Sequence, residues 1–344
     1  MHALRLAVVA QLGRVWPRGI LPDMRRSILL TLLLIAAGCS GSDTRARKTP
    51  IPLGESRLAV SGGRIWYRVS GVERGVPVVL LHGGPGFSSY YLKPLEALGD
   101  GRLVIRYDQL GCGKSDSLTD TTKFTIEHFV SELESLRAHI GVDKWHVLGH
   151  SWGTILGLEY YRVHPNRVAS LVFMGPVFDI PAYERHANEL IATLSDSSQR
   201  AVRRALTTGE FDAPDYQNAV NEFWGAYVFR HPVEADLDSS MSTFNTRMYE
   251  YMQGPSEFTI TGTLRSYDGT PFLSQIMVPA LVTVGEFDEV GPELAHSHAA
   301  LIPGARFEVI PAAAHLTTWD APETTVRVVS EFLRTAESRL RDQR

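Results

Sequence analysis

The chain of 344 residues holds two cysteines, Cys39 and Cys112, so no disulfide framework replaces a hydrophobic core. Its body carries no basic cluster and no block of like charge, and the formal net charge of -4 argues against nucleic acid as a partner. There is no His-Glu-x-x-His string. His296 and His298 have no further ligand at metal-site spacing, so they read as surface residues and no metal is expected. Gly113-Lys114-Ser115 ends like a phosphate-binding loop, but the glycine required five positions earlier is replaced by Asp108, which excludes the nucleotide reading. What remains, 44% hydrophobic and 21% charged, is an ordinary globular composition able to bury one large core or two modest ones.

The N-terminus reads as a targeting segment. Arg25 and Arg26 precede an uncharged apolar run, Ser27 to Ala37, that is too short to span a bilayer and ends in small residues before Cys39. This resembles a bacterial lipoprotein signal. The resemblance implies cleavage before Cys39 and acylation of that residue, hence a lipid anchor on the periplasmic side of the cell envelope. Ser40 lacks the acidic character associated with inner-membrane retention, which favours the outer membrane. Met24, immediately before the arginine pair, is the better candidate for the true start. An uncleaved anchor or a plain secretory signal is the alternative. Residues 40–50 are small, polar and basic, and read as a tether.

The rest of the chain is organised around Gly149-His150-Ser151-Trp152-Gly153, which lies between an apolar run, Trp145 to Leu148, and a helical stretch, Thr154 to His164. A serine on such a strand-to-helix turn projects its hydroxyl above the sheet edge, and flanking glycines let the two backbones pass closely. Ser151 is the candidate nucleophile. Before it, a hairpin (Arg57 to Val60, then Arg64 to Val69) is followed by buried strands at Val76 to Leu81 and Leu103 to Tyr107. Helix-length segments occur at Ser88 to Leu98 and Glu127 to Ile140, and Val168 to Phe173 supplies the next strand. The alternation predicts an α/β fold with a mainly parallel, doubly wound sheet.

His82-Gly83-Gly84-Pro85-Gly86 follows the first buried strand. Acyl transfer needs fixed N–H donors for an oxyanion, one from the residue after the nucleophile and one from a neighbouring loop. Trp152 supplies the first by position. Pro85 has no N–H, which points to Gly84 for the second. His82 to Gly86, Asp108 to Asp116, and Gly149 to Thr154 together resemble the prolyl aminopeptidase (proline iminopeptidase) family of α/β-hydrolases, which also contains L-amino-acid amidases. The resemblance runs from about Ile51 to the C-terminus.

The family implies a hydrolase core over 51–176 and 271–344, with a helical cap inserted over 177–270. It implies a serine hydrolase that releases an amino-terminal residue, often proline, from small peptides or amides through an acyl-enzyme, with no cofactor. In the chain order this fold uses, Ser151 is followed by Asp288, past the strand Ala280 to Val284, and by His315, past the strand Phe307 to Ile310. Glu286 and Glu289 are rivals for the acid. In the cap, Tyr249, Met252 and Gly254 to Phe258 are similar to a family string whose glutamate binds the substrate α-amino group, a role carried to Glu257. The second amine-binding acid falls on Glu222 or, in another register, at Asn221. Cys112 reads as a small residue in a tight loop, and His150 as a packing or hydrogen-bonding residue. Asp320 can cap a final helix that runs from Pro322 to about Leu340. An amidase or esterase on the same triad is the alternative activity, and a non-catalytic binding protein the alternative from another class.

Overall fold

The computed structural model describes residues 51–342; the expected signal segment, Cys39 and the tether at 40–50 lie outside the described residues. Eight strands form one sheet in the order β1-β2-β4-β3-β5-β6-β7-β8. The opening hairpin, β1 (Gly54–Val60) and β2 (Gly63–Gly71), pairs antiparallel with itself and with β4 (Leu103–Asp108). From β4 onward every pairing is parallel, through β3 (Val78–Leu81), β5 (Trp145–His150), β6 (Val168–Met174), β7 (Ala280–Gly285) and β8 (Arg306–Ile310). Strands β3 to β7 are buried along their whole length, which is why their sequences are continuous apolar runs rather than alternating ones.

The strand order reverses between β3 and β5, so the loops leaving their carboxyl ends lie side by side. That places the glycine loop 82–86 next to the turn at Ser151. Helices α1 (Ile126–Ile140) and α2 (Trp152–Val163) cross between strands, α1 burying the stripe Phe129, Leu133 and Leu136. The expected helix after Ser88 is instead a run of 3₁₀ turns, Ser89–Asp100, with Pro94 inside it. Proline removes the i to i−4 hydrogen bond that an α-helix would need there.

Between β6 and β7 the sheet is interrupted by α3 (Ile180–Ile191), α4 (Asp196–Thr208), α5 (Pro214–Tyr227), α6 (Ala235–Ser242), α7 (Thr246–Met252) and the single turn α8 (Thr270–Leu273). This helical insertion docks on the glycine loop: the Asn245 amide donates to the Gly86 carbonyl at 2.9 Å, and its side chain donates to the Gly111 carbonyl at 2.9 Å. Phe244 meets Phe87 edge to face. After β7 come α9 (Pro292–Ala300), the turn α10 (Thr317–Asp320) and α11 (Pro322–Asp342). The start of α11 is not capped by Asp320 as expected. Its carboxylate accepts from the amides of Arg230, His231 and Ala314, bracing the segment that carries His315. His298 also departs from expectation, since it is buried against Phe178 while His296 stays exposed on Phe307.

Candidate active site

Ser151 has φ 54° and ψ −124°, a conformation that L-residues adopt only when their surroundings force it. The cause is the close passage of strand and helix. A Cβ on Gly149 would lie 2.1 Å from the Gly153 carbonyl oxygen, and one on Gly153 would lie 2.3 Å from that of Leu81. Only glycine fits at either position, and the turn between them lifts Ser151 above the end of β5.

The glycine loop beside it is held by buried polar contacts. The Gly83 amide donates to the Tyr91 hydroxyl at 2.8 Å, so it is already committed, and Gly84 takes a positive φ of 113°. Gly84 and Trp152, the latter at the first position of α2, both line the cavity beside Ser151, where the sequence expects the two oxyanion donors. The string 108–116 braces this arrangement. Gln109 donates from its backbone to His82 Nε2, from its amide to the His82 carbonyl, and accepts from Trp152 Nε1 at 2.9 Å. Asp108 accepts from the Ser89 amide and hydroxyl and from the Lys114 amide, closing the loop on itself. Cys112 lies buried behind the glycine loop, with burial pushing its thiol pKa upward, and does not line the cavity.

His315 Nδ1 donates to Asp288 Oδ1 at 2.7 Å, and both side chains are buried. Burial works against the Asp288 carboxylate, but His315 and the Val290 and Gly285 amides outweigh it and hold its pKa below the ordinary range. The other ring nitrogen, His315 Nε2, is buried without a hydrogen-bond partner and lies 3.6 Å from Glu289 Oε1. Burial disfavours charge on this imidazole, yet the carboxylates of Asp288 and Glu289 raise its pKa to about 9. Glu286 points elsewhere, accepting from the Ala312 amide at 2.8 Å.

These groups open on a cavity of about 790 Å³, its mouth included, lined mainly by apolar and aromatic side chains. Gly84, Ser151, Trp152 and His315 form its floor. Glu257 enters from the cap, its carboxylate held by Trp224 Nε1 at 2.7 Å and the Tyr249 hydroxyl at 2.8 Å. Glu222 does not enter. It is exposed and accepts from the Ser195 amide and from the Ser195 and Ser198 hydroxyls, where it ties down the start of α4. A carboxylate two residues before the cavity-lining Trp224 points away because helical neighbours i and i+2 face different sides. Asn221 is exposed too, and it is not among the cavity residues.

The second acid of the cavity is Glu289, which the sequence offered only as a rival to Asp288. It is buried, lines the cavity, and its Oε2 has no hydrogen-bond partner. Burial, reinforced by the Glu257 and Asp288 carboxylates, pushes its pKa well upward. Its position directly after the acid was the available signal, because consecutive loop residues can flank one imidazole from two sides. An arrangement of nucleophile, oxyanion donors, oriented imidazole and two cavity carboxylates can acylate Ser151 with a substrate that carries a cation.

A family model described as the alpha/beta hydrolase fold matches residues 76–322. The proline iminopeptidase of Heyndrickxia coagulans is 37% identical over 282 residues, 81% of this chain and 98% of that one. The proline iminopeptidase of Saccharolobus solfataricus is 36% identical over 274 residues, 78% of this chain and 87% of that one. Among solved structures, proline iminopeptidase from Mycobacterium smegmatis superposes with a TM-score of 0.77 at 31% identity, covering 83% of this chain and all of that one.

Proposed function

The chain belongs to the proline iminopeptidase family of α/β-hydrolases, a serine aminopeptidase by that membership, and we propose that it removes an amino-terminal proline from short peptides or amides. The observation that carries this reading is the placement of Glu257 and Glu289 in the same cavity as Ser151 and His315. An ammonium held between the carboxylates would bring the adjoining carbonyl to the nucleophile, and a chain extending at its amino end would meet the cap.

In this reading Ser151 Oγ attacks the carbonyl carbon while His315 Nε2 takes its proton. Asp288 holds the imidazole in the tautomer with hydrogen on Nδ1 and stabilises the cation that forms. The Gly84 and Trp152 amides receive the oxyanion. The tetrahedral intermediate collapses as His315 returns the proton to the leaving amine, and water releases the acyl group by the same steps. A panel of aminoacyl β-naphthylamides with an N-acetylated prolyl control tests the assignment. Prolyl β-naphthylamide should be cleaved and its acetylated form should not; cleavage of both would make the enzyme a general amidase or esterase.

We further propose that residues 1–39 act as a lipoprotein signal and that acylated Cys39 anchors the enzyme on the periplasmic side of the envelope. The string Ala36-Ala37-Gly38-Cys39 after the short apolar run supports this. Cys39→Ser should abolish labelling by a palmitate analogue and release the enzyme from the membrane fraction. A mature protein that retains residues before Cys39 and carries no acyl chain would overturn it.

A further inference from the structure

The cavity carries more negative charge than a serine and its base require. Three carboxylates act on the one imidazole: Asp288 and Glu289 from the loop after β7, and Glu257 from the cap. The nearest further titratable ring is His150 on the elbow, 4.6 Å from His315 between centroids, which burial and the His315 charge keep neutral by lowering its pKa to about 3. Glu289 is faced in turn by Tyr183 from α3, Tyr249 from α7 and Glu257. The atom that must accept the Ser151 proton, His315 Nε2, makes no hydrogen bond and lies 3.6 Å from Glu289 Oε1.

We propose that the Glu289–His315 contact restrains the base in the free enzyme, and that the substrate's own ammonium releases it by drawing Glu289 to itself. The proposal rests on the amine subsite assigned above and adds that the ammonium is a trigger as well as an anchor. A pocket with three acids around one imidazole holds protons tightly, which is the direction in which both Glu289 and His315 are displaced. In the free enzyme the Glu289–His315 pair holds one proton between them, on the imidazole facing the carboxylate. A cation entering that pocket takes over the pairing with Glu289, so that one proton passes from the pair to solvent, Glu289 pairs with the ammonium, and Nε2 is left free for the Ser151 hydroxyl. No covalent bond other than that to the proton changes. A substrate without an amine meets a protonated base at neutral pH, so the preference for amines shows in kcat as well as in KM.

The test uses p-nitrophenyl acetate, which has no amine, with methylammonium chloride to fill the subsite and sodium chloride as the control at equal ionic strength. With sodium, kcat/KM of the wild type should rise on a limb near pH 9, following His315. Methylammonium should raise the rate at about pH 7 by roughly fivefold or more and move the limb down by about one pH unit. Glu289→Gln should be faster on the ester at about pH 7 than the wild type, with its limb already lowered and no response to methylammonium. If methylammonium inhibits cleavage of prolyl β-naphthylamide yet leaves the ester rate and its pH profile unchanged, the subsite stands and the trigger is wrong. If the cation affects neither substrate, the amine subsite falls and takes the trigger with it. The wild-type arm decides the matter without any variant, so poor folding of Glu289→Gln does not rescue the idea.

Discussion

His150 Nε2 donates to the backbone carbonyl of His315 at 2.9 Å, joining the residue before the nucleophile to the base. A carbonyl only accepts, so Nε2 carries the hydrogen and Nδ1 is the acceptor for the Tyr91 hydroxyl, 2.8 Å away. Tyr91 Oη in turn accepts from the Gly83 amide. One directional chain therefore links the glycine loop, the elbow and the base.

Tyr91→Phe breaks that chain at its centre, leaving the Gly83 amide and His150 Nδ1 buried without partners. Each orphaned group costs about 1–3 kcal/mol. Urea denaturation should show a loss in that range or above it, and kcat should fall because the glycine loop and base lose their common support. Unchanged stability would mean that another group satisfies both atoms.

Ser151→Ala, His315→Ala and Asp288→Asn should each lower turnover by roughly 10⁴-fold or more without unfolding the protein, and should not add when combined. Steady-state kinetics on prolyl β-naphthylamide, with circular dichroism of each variant, checks this. Near-normal turnover in Asp288→Asn would move the acid role to another residue, with Glu289 the first to examine.

Glu257→Gln removes a cavity carboxylate and should weaken transition-state binding of amine substrates by about 2–5 kcal/mol, while p-nitrophenyl acetate hydrolysis should not fall. Glu222→Gln should leave both activities near wild type and affect only the tie at the start of α4. Measuring kcat/KM for both substrates in both variants separates the two glutamates. Equal losses on the two substrates in Glu257→Gln would make that residue a support for the fold.

Glu132 is buried beneath the 108–116 loop with the Leu110 amide as its hydrogen-bond donor, and burial raises its pKa to about 8. The unfolded chain ionises this carboxyl first as pH rises, so the folded state holds the extra proton between about 4.5 and about 8. Its contribution to stability is therefore fully present below that window and lost as pH rises through it, with a slope of at most about 1.4 kcal/mol per pH unit. Glu132→Gln keeps an acceptor for Leu110 and should remove this slope, giving a higher melting temperature than the wild type at about pH 8 and a similar one at about pH 5. Parallel pH dependences in the two proteins would assign the proton elsewhere.

The sequence by itself determined the features that local patterning encodes. Buried parallel strands read as apolar runs, Gly149 and Gly153 mark the close passage around Ser151, Asp288 lies in the loop after one such run, β7, and His315 in the loop after the last strand, β8. Tertiary structure decided which polar side chains meet. Glu222 and Glu257 look alike in the sequence, yet one ties α4 and the other lines the Ser151 cavity, because Glu222 sits on an exposed side of α5 while Glu257 lies in the turn after α7, held by Trp224 and Tyr249. Asp320 had a local use as a helix cap and was taken instead by the Ala314 amide and by the amides of Arg230 and His231 from the cap. Glu289 gained its place opposite His315 only when the loop after β7 closed under the cap, a juxtaposition of groups from separate elements that no periodicity along one chain records.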